Sequence, residues 1–227
     1  MAEPTVLTVL YYIDATQAAD ARFRGFKNVV FDPFQSAQAS KAHEWIPTRV
    51  GTDGAIALGL VNSLLNEHGI YDAEYLMYKT NGPYLIRPSD GRYLRDSVTG
   101  RPMVWDLVDQ APKVHNDPSV TRVEYEDVAH EVALTRRYTV DVVECTPAFE
   151  LLKEHVRTYT PEYVEEVSGV PAATVSRIAR EFGEAAEIGG VGTERLVHGV
   201  HGAVPGDLGA GGHGPVKEFA LRLYGRD

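Results

Sequence analysis

Apolar positions along this chain follow two rhythms, and the switches between them mark its elements. Lys27 to Phe31 (KNVVF) is a β-branched and aromatic run after Gly25 that ends at Asp32-Pro33. It predicts a short buried strand with a turn at its carboxyl end. Gln35 to Glu44 is alanine-rich and helix-permissive, and Trp45 to Val50 predicts a second extended piece that delivers Gly51-Thr52-Asp53. The period then changes. Ile56, Leu60 and Leu64, with Ala57, Val61 and Leu65, share one face at three-to-four spacing, which predicts an amphipathic helix. Thr52 or Asp53 is placed to cap its start and Gly69 to stop it. A shorter helix is predicted over Asp72 to Tyr78.

The middle of the chain reads differently. Residues 84–106 (YLIRPSDGRYLRDSVTGRPMVWD) are short strand-like pieces broken at Ser89-Asp90-Gly91 and Thr99-Gly100. Both breaks carry turn chemistry, so a hairpin or small meander is predicted there. Residues 109–137 are polar with little periodicity and read as a connecting excursion. Thr139 to Glu144 alternates like one strand. Pro147 to Tyr159 carries Phe149, Leu152 and Val156 on a helical face. Thr160-Pro161-Glu162 is a cap with proline at the first helical position, and Val170-Pro171 opens a last helix through Phe182 with Val175, Ile178 and Ala179 facing inward.

These elements predict an α/β fold: a Rossmann-like parallel sheet flanked by helices, with a hairpin insertion and a helical C-terminal segment. The predicted organisation is one partial α/β domain over residues 1–188, with an insertion at about 84–137. Residues 189–227 form a glycine-rich tail predicted to be poorly ordered. There is no internal repeat.

Composition removes several function classes. The formal charge of −10 argues against nucleic acid as a partner, since neutralising phosphates needs a basic face. It leaves polyanionic ligands open, because helix N-termini and backbone amides hold phosphate without net charge. A single cysteine, Cys145, excludes an internal disulfide framework and any multi-cysteine metal site. It reads as a buried structural thiol. No apolar run is long enough to span a bilayer, so direct membrane insertion is not expected. Residues 1–12 lack a basic start and a clear cleavage site, so the chain as given reads as cytoplasmic.

Two carboxylates carry the candidate chemistry. Asp32 follows the first predicted strand, and Asp53 stands at the start of the helix after the second. Ligands of α/β sheets bind outside the carboxyl ends of the strands, where such tips gather. Carboxylates there accept from ribose hydroxyls or from the N–H groups of guanine. Gly51 lets backbone approach closely, and the open amides of the first helical turn face a phosphate.

The stretch VVFDPFQSAQASKAHEWIPTRVGTDGAIALGL (29–60) resembles a signature of molybdopterin-dependent oxidoreductases of the dimethyl sulfoxide reductase family. There, a strand ending in Asp-Pro is followed by a small-residue helix, a Trp-containing strand, Gly-Thr-Asp and an Ala/Leu-rich helix. A second passage, TPAFELLK (146–153) followed by YTPEYVEEVSGVPAATVSRIAREF (159–182), is similar to the same family's "YTPE…GVP…I…A…F" segment. Together they cover Val29 to about Ile188. The resemblance implies that the region binds a guanosine part of bis-molybdopterin guanine dinucleotide. Asp32, Gly51, Thr52 and Asp53 match the nucleotide-contacting positions, and Gln35 and Ser36 sit where side chains help hold the nucleotide. Phe34 stands where many members have arginine, His43 where the pattern has aspartate, and Val50 where proline is frequent.

The resemblance also implies a parent enzyme that moves electrons, usually with an oxygen atom, at molybdenum or tungsten. Its metal ligand and iron–sulfur cysteines would lie upstream, so this chain is expected to hold no iron–sulfur cluster, metal ligand or catalytic residue, and to be inactive alone. Implied partners are an iron–sulfur electron-transfer subunit and the remainder of the catalytic subunit. The parent could be exported. The rival class is a non-catalytic nucleotide-binding or interaction module on the same α/β body.

Other motifs read as structural. Val167 to Ala179 resembles the helix-turn-helix of lac-repressor-type proteins, but its flank (Glu162, Glu165, Glu166, Glu181, Glu184) is acidic, so helical packing is expected instead. His198, His201 and His213 lie among glycines, a poor template for fixed coordination. Arg87, Arg92, Arg95 and Arg101 read as a solvated face, and Trp45 and Trp105 as core anchors.

Overall fold

The computed structural model describes residues 5–7, 27–122, 129–186 and 188. The glycine-rich tail, with His198, His201 and His213, lies outside the described residues. The chain is mixed α/β and divides into two units, Met1–Tyr71 with Val156–Asp227, and Asp72–His155.

The first unit is built on three short parallel strands in the order β1 (Thr5–Leu7), β2 (Lys27–Phe31) and β3 (Glu44–Ile46). Val29 pairs with Glu44, Val30 with Trp45 and Phe31 with Ile46. Asn28, Val29 and Val30 are buried in succession, as in a parallel strand covered on both faces. Between β2 and β3 the structure departs from the expected helix-permissive run. Only a 3-10 turn forms, at Ala39–Lys41. Ser36 Oγ accepts from the Ala39 amide at 3.2 Å, and the Ser40 hydroxyl donates to the Ala37 carbonyl at 2.9 Å. These local bonds compete with a continuous helix.

Helix α1 (Asp53–Asn62) runs on into a π-helical stretch, Ser63–His68, and ends at Gly69 with φ of 66°. Two helices follow the other unit in sequence. In the first, α4 (Pro161–Ser168), Thr160 Oγ1 accepts from the Tyr163 amide at 3.2 Å and proline stands in the first turn. The second is α5 (Ala172–Ala185). Ile56 and Leu60 of α1, Val164 of α4 and Val175, Ile178 and Ala179 of α5 close over Val29 and Ile46 of the sheet as one core. At the start of the strands, Lys27 pairs with Glu181 at 2.8 Å, and Arg177 bridges Glu181 (3.0 Å) to Glu44, pinning α5 to the sheet. Among the positions a DNA-reading helix would present, Arg177 is spent on these carboxylates. Ser176 Oγ donates to Glu67 at 2.5 Å.

The second unit starts with α2 (Ala73–Lys79), where the Asp72 carboxylate accepts from the Tyr75 amide at 2.8 Å. The meander expected over 84–106 is present: β4 (Leu85–Ile86), bridges Ile86–Tyr93 and Arg95–Pro102, then β5 (Met103–Asp106). Two expectations are corrected here. Ala111–Val114 is a strand, β6, paired antiparallel with β5 inside the stretch read as a connecting excursion. Its proline and lysine hid it, and the ladder with β5 holds it, with Lys113 pairing to Asp106 of that strand. Residues 139–144 are not one strand. β7 (Tyr138–Val140) and β8 (Val143–Pro147) fold back on each other, and β8 also pairs with β4. The reversal is a two-residue turn, with Asp141 at φ 46° and Val142 at φ 66°. Helix α3 (Ala148–Val156) follows directly. Leu85, Val140 and the fully buried Cys145 form a small core with Trp105, whose ring stacks on Tyr138 at 4.8 Å. Burial pushes the Cys145 thiol up, away from a reactive thiolate.

Candidate functional site

β2 and β3 end side by side, so the residues that follow them emerge at one edge of the parallel sheet. Asp32 continues the ladder, its amide donating to the Ile46 carbonyl at 3.2 Å. Its own carbonyl accepts from the Trp45 indole at 3.0 Å, which explains the tryptophan in the neighbouring strand. The Asp32 carboxylate is largely buried, and Oδ1 accepts from the Phe34 amide at 3.2 Å in an Asx-type turn. Oδ2 has no partner among the described residues. Gln35 is exposed and its side chain is unpartnered among the described residues. Ser36 is occupied in capping the 3-10 turn.

On the β3 side, Pro47 to Thr52 lead into α1. Gly51 has φ of 79°, and a Cβ built there would meet nothing within 4 Å. Its glycine is therefore required by the backbone turn rather than by crowding within the chain. The Thr52 side chain does not cap the helix as expected. Its hydroxyl instead donates back to the Arg49 carbonyl at 2.7 Å, closing the turn. Asp53 is the first helical residue, exposed, and its carboxylate has no partner among the described residues. The first amide bonded back along the helix is that of Ile56, to Thr52 O at 3.1 Å. The amides of Asp53, Gly54 and Ala55 thus precede the helix's own ladder and stay available to an acceptor.

Arg49 is a residue the sequence reading missed. Its guanidinium Nη1 donates to the Glu166 carbonyl at 2.5 Å and to the Val167 carbonyl at 3.1 Å, at the C-terminal end of α4. Nothing in the spacing of Thr48-Arg49-Val50 marks it. The contact spans more than a hundred residues of sequence, and only the stop at Gly169 hints that a helix end needs a partner there.

A second cluster of titratable groups lies in the Asp72–His155 unit. Asp106 is fully buried at the end of β5. Oδ1 accepts from the amides of Val108 (2.7 Å) and Asp109 (3.2 Å), while Oδ2 meets Lys113 Nζ and His130 Nδ1, each at 2.7 Å. Burial alone would raise this carboxyl. The bonds from Lys113, His130 and the two amides outweigh it and hold it well below the usual range. Asp106, Asp109 and His130 are close enough to share a cation. The Lys113 ammonium already stands among them, giving its three protons to Asp106, Asp109 (2.5 Å) and Ser119 (2.7 Å). The cluster is a satisfied ion-pair network that joins β5, β6 and the segment before β7. Of the predicted arginine face, Arg87 pairs with Asp90 in its own turn at 2.6 Å and Arg95 donates to the Gly100 carbonyl at 2.8 Å.

No protein-family model matches the chain. It is 30% identical over 167 residues to a sulfite dehydrogenase subunit of Allochromatium vinosum, covering 70% of this chain and 17% of that protein. It is also 30% identical over 204 residues to the alpha subunit of the perchlorate reductase of Dechloromonas aromatica, covering 76% of this chain and 22% of the relative. Acetylene hydratase from Pelobacter acetylenicus gives a TM-score of 0.41 at 21% identity, over 82% of this chain and 17% of that one, a likeness too distant to bear on the fold. By this homology in sequence the chain belongs to the molybdopterin oxidoreductases of the dimethyl sulfoxide reductase family. It spans about a fifth of the length of the curated relatives it matches.

Proposed function

We propose that this chain is the part of a molybdopterin oxidoreductase catalytic subunit that holds the guanine nucleotide end of a bis-molybdopterin guanine dinucleotide cofactor. The observation that carries the reading is the unpartnered Asp53 carboxylate at the head of α1, on the segment that leaves β3, the strand paired with the one that Asp32 follows. Both carboxylates accept from the N–H groups of guanine or from ribose hydroxyls. Gly51, Thr52 and the open amides of the first turn suit a pyrophosphate, which gains from the positive end of the helix dipole. Gln35 is free to add a contact, while Ser36 would act by shaping the turn. The donor set fits: acceptors stand where a base and sugar offer protons, and amides where phosphate offers oxygens.

In this reading the β1–β3 sheet is part of a Rossmann-like layer. Residues 1–188 are taken as one α/β domain carrying an insertion at about 84–137. The cofactor, when bound, supplies the molybdenum (or tungsten) redox centre. This chain's residues position it, and the catalytic residues belong to the rest of the subunit. Molybdenum-dependent redox or oxygen-atom transfer is accordingly the whole enzyme's activity. An iron–sulfur electron-transfer subunit is its partner.

The test is calorimetric titration of the full chain with GDP and, separately, ADP. GDP should bind the more tightly. Asp53→Ala should weaken GDP binding by roughly 10- to 100-fold, the loss expected for charge-assisted hydrogen bonds, while circular dichroism stays unchanged. Equal binding of the two nucleotides, or a folded D53A with unaltered affinity, contradicts the reading.

A further inference from the structure

The last carbonyls of a helix have no partner within it, and something outside must satisfy them. At the end of α4 one residue meets three in succession. Arg49 donates from its guanidinium to Glu166 O (2.5 Å) and Val167 O (3.1 Å), and from its backbone amide to Ser168 O (2.9 Å). The carbonyl before them, Glu165 O, is taken by the Gly169 amide at 2.9 Å. Gly169 has φ of 79°, and a Cβ there would lie 3.8 Å from Arg49 Nε, so the helix stops just where the guanidinium sits. On its other side, the Arg49 carbonyl accepts the Thr52 hydroxyl at 2.7 Å, within the turn that contains Gly51. Among the described residues, the hydrogen bonds that fasten the loop entering α1 to α4 all come from Arg49.

We propose that Arg49 is the positioning residue of the nucleotide loop. It uses the electronegative end of α4 as a fixed post, so that the turn through Gly51 and the open amides of Asp53 to Ala55 are set before a ligand arrives. A guanidinium suits the task because its planar fork reaches two carbonyls at once, whereas an ammonium offers a single point of charge. The pairing also gives a physical reason for the Gly-Thr-Asp and Thr-Pro-Glu…Gly-Val-Pro motifs to occur in one chain: each supplies half of the clasp. The inference rests on the nucleotide reading above.

The experiment measures GDP affinity and amide exchange in the full chain for Arg49→Ala, Arg49→Lys and a control, Thr160→Ala. The control loosens α4 from its opposite end without touching the clasp. Arg49→Ala should weaken GDP binding about tenfold, the order expected when a preorganised loop must be fixed on binding, and speed exchange at residues 52–55. Arg49→Lys should recover part of both. Thr160→Ala should leave GDP affinity within about twofold, because losing an N-cap costs helix stability rather than loop order. Equal losses in Arg49→Ala and Thr160→Ala would show a merely structural role and overturn the inference. Unchanged affinity and exchange in Arg49→Ala would also overturn it. If the unaltered chain binds no GDP, the nucleotide reading itself fails and the inference falls with it.

Discussion

Gly59 of α1 lies so close against Val164 of α4 that a Cβ at position 59 would overlap the valine Cγ2. The two helices approach at this point because one of them lacks a side chain, and Val164 is fully buried as a result. The contact sits in the core that holds α1, and with it Asp53, against the sheet.

Gly59→Ala should therefore overpack the core. The expected loss is about 1–3 kcal/mol, the usual cost of forcing a methyl group into filled space, despite alanine's better helix propensity. Urea denaturation followed by circular dichroism measures it. A variant at least as stable as the parent would mean that α1 and α4 do not pack in this way.

Asp106 should make the Asp72–His155 unit acid-sensitive. Its folded carboxyl is held below the ordinary range, so folding favours the charged form. That contribution is fully present above about pH 4, the unfolded value, and is lost as pH falls through the lower folded one. Asp106→Asn should cost roughly 1–3 kcal/mol near neutrality, because Lys113 loses its buried partner and keeps only Asp109 and Ser119. The gap between variant and parent should narrow at pH 3. A gap that is constant with pH would contradict the assignment.

The turn between β7 and β8 stores strain. Val142 is a β-branched residue at φ 66° and stands almost wholly in solvent, where it makes no packing contact to compensate. Val142→Gly restores the Asp-Gly pair that such two-residue turns favour and should stabilise the chain by about 1 kcal/mol. Thermal melting checks this, and a lowered melting temperature would count against it.

Elements set by local rules were legible in the sequence. The run KNVVF before Asp32-Pro33, the spacing of Ile56 and Leu60, and the Thr160-Pro161 cap each depend on residues within one or two turns of each other. One error fell where distant partners decide, and others were local, as where bonds from Ser36 and Ser40 break the helix-permissive run. Ala111–Val114 is a strand because β5 and the Asp106 cluster claim it, although its own residues alternate poorly. Tyr138 to Pro147 doubles back at two non-glycine residues, which no turn propensity would suggest. The candidate site divides in the same way. Asp32, Gly51, Thr52 and Asp53 could be singled out from strand-end and helix-start chemistry. Arg49 could not, because its partners, the carbonyls at 166 to 168, carry no side-chain signature.

The most direct test of the nucleotide-holding role is to titrate the isotopically labelled full chain with GDP and follow every backbone amide by NMR. The expected result is a set of saturable shifts concentrated at residues 32–36 and 51–55. No shift at saturating GDP, or shifts gathered in residues 72–155 instead, would contradict it.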